Sequence, residues 1–233
     1  MRTPLLLLWD IDGTLIRSGG AGERALVRAV RDVEKVDFDL REVDWAGRTD
    51  RQIAEMILDR LGRPATWEAA AAIIDAYLDH LPGEMHAKGG IILPGIASIL
   101  EYVDGSQRFT QGLLTGNMER SAKTKLDYYH LSRYFVFGAF ADDAIHRNDL
   151  GPHALRKAAE HHGIRFAGHQ TCVIGDTPHD IACGKAIGAR TLAVATGKYT
   201  EASLREHKPT AVFTDLSDTD AFFAILEESV CPG

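Results

Sequence analysis

Apolar and polar positions follow two different rhythms along this chain. Leu5-Leu6-Leu7-Leu8-Trp9 is an unbroken apolar run that ends in Asp10-Ile11-Asp12-Gly13-Thr14-Leu15. A short continuous run bounded by glycine and polar residues is the pattern of a strand buried on both faces. Similar runs recur at Gly112-Leu113-Leu114, Val136-Phe137, Cys172-Val173-Ile174 and Leu192-Ala193-Val194. Amphipathic segments, such as 152–162 and 178–188, lie between them. Strands alternating with helices predict an α/β fold with a parallel sheet covered on both faces.

From 16 to about 90 the rhythm is helical and no strand is predicted. Leu26, Val27, Val30 and Val33 form one stripe within Glu23–Val36. Ile53, Met56, Ile57 and Leu61 form a second, with Thr49 as N-cap. Ile73, Ile74, Tyr77, Leu78 and Leu81 form a third within Thr66–Leu81. Gly19-Gly20-Ala21-Gly22 and Lys88-Gly89-Gly90 border this insert and suit hinges or plain connections. Trp45 and Trp67 are expected in its core.

The chemistry begins where the first run stops. Asp10 and Asp12 stand at the C-terminal end of a buried strand, where α/β proteins hold ligands. Two carboxylates there are costly unless a cation or a proton partly neutralises them. The pair points to a metal site with a carboxylate nucleophile. Leu113-Leu114-Thr115-Gly116-Asn117 ends a second strand, where a hydroxyl and free amides suit an anion, although an ordinary helix-capping turn uses the same residues. Val173-Ile174-Gly175-Asp176-Thr177-Pro178-His179-Asp180 ends a third. Pro178 suits the first turn of the next helix, which puts Asp180 within that turn, where it could instead serve only the helix dipole.

Asp10-Ile11-Asp12-Gly13-Thr14-Leu15, Thr115 and Gly175-Asp176 through Asp180 resemble three motifs of the haloacid dehalogenase superfamily, and the layout resembles its phosphoglycolate phosphatase-like members over almost the whole chain. The resemblance implies a Rossmann-like core of residues 1–15 and 91–233 with an inserted all-α cap of residues 16–90. It implies a Mg²⁺-dependent phosphatase acting on a small phosphorylated metabolite through an aspartyl-phosphate. Asp10 would be nucleophile and metal ligand. Asp12 would be general acid and base, with its backbone carbonyl on the metal. Asp176 would bind the metal and Asp180 support it. Thr115, with Gly116 and Asn117, would bind the phosphoryl group. Arg48, in Gly47-Arg48, resembles a cap residue that meets substrate, against the alternative of a solvated arginine at a helix start.

One motif departs. The family's third motif usually holds a Lys just before the helix that precedes Gly175-Asp176, and alignment puts Asp149 there. Arg147, two residues earlier, is the preferred replacement because a guanidinium binds phosphate bidentately. Lys157 lies further along the helix and is expected to be solvated. A phosphomutase of the same family and a non-catalytic binding protein on the same fold are the alternatives.

Composition narrows the classes. The 233 residues are 45% hydrophobic and 25% charged, which suits a folded globular protein. The net charge is −7 and no basic stripe appears, which argues against a nucleic-acid partner. The apolar runs are too short to cross a bilayer. Cys172, Cys183 and Cys231 lack CxxC spacing and suit free thiols in a reducing cytoplasm.

Overall fold

The computed structural model describes residues 4–87 and 89–227. Six parallel strands form one sheet: β1 (Leu5–Trp9), β4 (Phe109–Leu114), β5 (Gly138–Ala139), β6 (Thr171–Gly175), β7 (Arg190–Val194) and β8 (Ala211–Phe213). Their order is β5-β4-β1-β6-β7-β8. This is the doubly wound, Rossmann-like order, with β1 at the point where the chain changes direction across the sheet. Two short strands, β2 (Ile16–Arg17) and β3 (Ile91–Ile92), pair antiparallel as a separate ribbon.

The apolar run of β1 is explained by what covers it. Leu5, Leu7 and Trp9 face a core shared with α4 (Ile96–Asp104), α5 (Glu119–Tyr128) and α9 (Thr219–Glu227). Leu6 and Leu8 face the opposite side, against α6 (Arg147–His162) and α7 (Pro178–Ala186). Leu6, Leu7, Leu8 and Trp9 are completely buried, and each leucine is worth about 1.5–3 kcal/mol of transfer free energy. The short helix α8 (Glu201–Glu206) follows β7.

Between β2 and β3 lie α1 (Ala21–Glu34), α2 (Asp50–Arg60) and α3 (Trp67–Ala87), with an apolar core of their own. Ala21, Ala25 and Ala29 form the buried small-residue face of α1, the helix that packs most extensively on α3. The predicted helices 23–36 and 49–61 match α1 and α2 within two residues, and Thr49 Oγ1 caps α2 by accepting from Gln52 N at 3.2 Å.

Several boundaries differ from expectation. Helix α3 runs on through Pro82 to Ala87 instead of stopping near Leu81. Its last turns are held by buried Glu84, whose carboxylate pairs with Arg24 at 2.6 Å and Arg28 at 2.9 Å. Helix α6 begins at Arg147, five residues before Pro152, so the proline stands inside the helix and does not open it. The strand predicted at Val136-Phe137 is Gly138–Ala139, and Val136 is exposed. Ile16–Arg17 does form a strand, too short to leave a period in the sequence. Trp67 is exposed, not core, and lies under the Arg51 guanidinium at 4.4 Å. Lys157 is not solvated: it donates to Asp143 Oδ2 at 2.6 Å and to the Gly138 carbonyl. Cys172 and Cys183 are buried free thiols, and Cys231 lies outside the described residues.

Candidate active site

Three neighbouring parallel strands deliver the candidate residues to one end of the sheet. Asp10 follows β1, Thr115 follows β4 and Asp176 follows β6. Gly13 lets the first loop fold back over the third. Its φ is +81°, and a Cβ there would overlap the Asp176 carboxylate. A Cβ on Gly116 would likewise overlap the Arg48 carbonyl, so the second loop closes tightly against residues 47–50. Asp50 N donates to the Gly116 carbonyl at 2.7 Å across that contact.

Asp10, Asp176 and Asp180 can bring one carboxylate oxygen each within 4.8 Å of the others. Burial pushes the Asp10 carboxyl up to about 6, against the opposing pull of Arg147. Burial also holds Asp176 well above the usual carboxylate range, and Asp10 beside it adds to the effect. Arg147, at the first position of α6, supplies the positive charge. Its Nη2 donates to Asp10 Oδ1 at 2.6 Å and also to Asp180 Oδ1, and its Nη1 donates to the Gly47 carbonyl at 3.2 Å. Burial works against its charge, and Asp180 and Asp10 outweigh that penalty. Asp180 does two things at once. Oδ2 accepts from Thr177 N at 3.0 Å and Thr177 Oγ1 at 2.7 Å, completing a capping box on α7, while Oδ1 holds Arg147.

These groups meet in a cavity of about 520 Å³. Asp10, Asp12, Gly116, Asn117, Arg147 and Asp176 all line it, as does Arg48. Thr115 and Asp180 do not. Thr115 is completely buried behind Asn117, its Oγ1 accepting from Asn117 Nδ2 at 2.8 Å. Asp180 is buried behind Arg147. Arg48 reaches the wall, but its Nε donates to the Asp44 carbonyl at 2.6 Å.

Sequence reasoning missed Lys125. This buried lysine of α5 donates to Asp12 Oδ2 at 2.5 Å and to Asn117 Oδ1 at 2.6 Å. Asn117 Nδ2 donates to the same Asp12 oxygen at 2.9 Å. Burial disfavours the ammonium, but Asp12 outweighs it and keeps the charge. A signal existed: Lys125 stands one helical turn from Ser121 and beside Leu126 on the buried face of α5, where an unpaired charge would not be tolerated. Asp50 was also missed. Its Oδ2 accepts from Met118 N at 2.8 Å and Ser121 Oγ at 3.1 Å, so a residue of the helical insert caps α5.

The family profile described as "HAD-hyrolase-like" matches residues 147–219. Phosphoglycolate phosphatase 1 of Pseudomonas aeruginosa is 26% identical, over 93% of this chain and 79% of its own length. Probable phosphatase IndB of Dickeya dadantii is 24% identical, over 97% of both chains. The chain is similar to phosphatases of the haloacid dehalogenase superfamily. A solved hydrolase from Pseudomonas syringae has the same fold, with a TM-score of 0.75 at 21% identity over 94% of this chain and 98% of that one. Such a phosphatase is a hydrolase of phosphoric monoesters, resembling the phosphoglycolate phosphatases. Arg147, expected in place of the third-motif Lys, lies against Asp10.

Proposed function

We propose that the protein hydrolyses a small phosphate monoester with Mg²⁺, through an aspartyl-phosphate on Asp10. The observation that carries this reading is the convergence of Asp10, Asp12, Asp176 and Arg147 on one cavity. A carboxylate oxygen of Asp10 attacks phosphorus while the bond to the alcohol oxygen breaks. Asp12 gives that oxygen a proton, then takes one from the water that attacks phosphorus in the second step. Inorganic phosphate leaves and Asp10 is restored. Arg147 and the Gly116–Asn117 loop bind and orient the phosphoryl oxygens, and Thr115, expected to do so directly, sits behind Asn117 and accepts from its side chain.

Asp10, Asp176 and the Asp12 carbonyl would hold the Mg²⁺, with Asp180 in support. An all-oxygen donor set suits a hard cation, and Asp176 Oδ1 is buried with no partner among the described residues. When bound, Mg²⁺ would neutralise part of the charge on the transferred group. Residues 16–90 serve as a cap over the core of residues 1–15 and 91–233, and cap closure excludes water during attack.

Phosphate release from a panel of phosphate esters tests the reaction. EDTA should abolish release, Mg²⁺ should restore it, and Ca²⁺ should do so poorly. Full turnover in excess EDTA would defeat the proposal, and phosphoryl return to a sugar without free phosphate would make it a mutase. Thermal unfolding gives a second readout. The folded Asp10 carboxyl titrates near 6, above its ordinary 3.8, so its charged form penalises the metal-free fold. That penalty grows as pH rises through this window and is fully present above it. Mg²⁺ must also displace the proton at low pH. Added Mg²⁺ should therefore raise Tm more at pH 7.5 than at pH 5, and an equal gain at both would count against ligation by Asp10.

Lys125 and Asn117 together fix the oxygen of Asp12, so Lys125 is a positioning residue in this mechanism. Lys125→Met should lower kcat/KM for an alkyl phosphate by roughly tenfold to a hundredfold, part of the range for general acid catalysis. The loss should be much smaller for p-nitrophenyl phosphate, whose leaving group needs no proton. Equal losses on both substrates would reduce Lys125 to a structural role.

A further inference from the structure

The wall that the helical insert gives the cavity has a different chemistry from the carboxylates at the strand ends. Every element of the helical insert contributes an apolar side chain to it: Leu26 from α1, Leu40 and Trp45 from the following connection, Ile53 from α2, and Ile74 and Tyr77 from α3. Trp45, expected in the core of the insert, packs on that core and also walls the cavity. Six side chains from separate elements do not converge on one space by the accident of a single amphipathic stripe. The volume, about 520 Å³, is also in the range that encloses a whole ligand of moderate size, far more than a phosphate with two carbons needs.

The charges nearby do not favour an anionic leaving group. Arg48 donates to the Asp44 carbonyl, Lys198 lies 3.3 Å from the Asp44 carboxylate, and Arg17 donates to the Thr196 carbonyl at 2.7 Å. Arg48 and Lys198 thus both face Asp44, Lys125 is paired with Asp12, and Arg17 is held by a carbonyl alone. Glu23 and Asp50 line the same space and would repel a second negative charge.

We propose that this apolar wall is a subsite for the alcohol portion of the substrate, and that this portion is uncharged, largely apolar and about the size of a ring or a six-carbon chain. The proposal rests on the phosphatase reading only for the position of the phosphate. Phosphate anchored at Asp10 and Arg147 leaves the rest of the cavity, walled by Leu26, Trp45 and Ile74 among others, to the alcohol portion. Each methylene that reaches the wall leaves water, and the transfer free energy corresponds to roughly a fourfold gain in affinity.

Alkylphosphonates, which cannot be hydrolysed, test the subsite without turnover. Their Kd, measured with Mg²⁺ present, should fall roughly threefold to fourfold per methylene from ethyl to hexyl. Phenylphosphonate should bind well, and carboxymethylphosphonate more weakly than hexylphosphonate. Trp45→Ala should flatten the chain-length dependence, and Leu26→Ser serves if that variant does not fold. Turnover of the matching alkyl phosphates is measured in parallel. A flat series, tighter binding of carboxymethylphosphonate, or an unaltered slope in both variants would overturn the subsite even if every ester is hydrolysed. A steep series with no hydrolysis of any ester would uphold the subsite and remove the phosphatase reading instead.

Discussion

Asp10→Asn should eliminate phosphate release, by roughly four to six orders of magnitude, the scale of deleting a covalent nucleophile. Asparagine keeps the shape and can still accept a hydrogen bond from Arg147 at Oδ1, but its amide is a poor nucleophile. The fold should not suffer. Asp10 and Asp176 are both buried and the Asp10 charge raises the pKa of Asp176, so removing that charge relieves the metal-free protein. Without Mg²⁺ the variant's Tm should equal or exceed that of the wild type. With Mg²⁺ it should lose most of the metal-induced gain. Near-normal turnover by a folded Asp10→Asn protein would end the covalent mechanism.

Arg147→Ala should lower kcat by roughly a hundredfold or more, the cost of one charge-stabilising donor at a reacting group. Here the stability effect should also be large. Arg147 is the shared partner of Asp10 and Asp180, all three being almost wholly buried. Its removal leaves carboxylates without their cation, a loss of about 3–5 kcal/mol when a buried pair is broken from one side. Arg147→Lys should fold better and recover part of kcat, because an ammonium keeps the charge beside Asp10 and Asp180 but lacks the second nitrogen that donates to the Gly47 carbonyl. Wild-type kinetics in Arg147→Ala would assign the cationic role elsewhere, and Lys125 would be the next residue to test.

What the sequence made legible follows from how local each signal is. The run of β1 could be read because both faces of the strand are covered, so no polar residue interrupts it before Asp10. The carboxylates Asp10, Asp12 and Asp176 could be read because a strand end fixes their position within a few residues. The edge strand β5 could not, since its two residues are Gly138 and Ala139 and the apolar pair before them includes exposed Val136. The start of α6 was misjudged because Pro152 looks like a helix opening, and Arg147 was reached through its chemistry, not its helix. Lys125 carries no local signature of function. Its meaning comes from Asp12, 113 residues earlier in the chain, and only packing of α5 against the first loop creates the pair.

Helix α5 does not cap itself. Met118, at its N-cap, has no side-chain acceptor to offer, and the carboxylate of Asp50 does that work from the other layer. Lifting the cap would strip α5 of this acceptor, a loss of about 1 kcal/mol for a helix. It would loosen the helix that bears Lys125, and with it the grip on Asp12. If Asp12 is the proton donor proposed above, an open molecule would be a disarmed one, its acid brought into register only as the two layers meet.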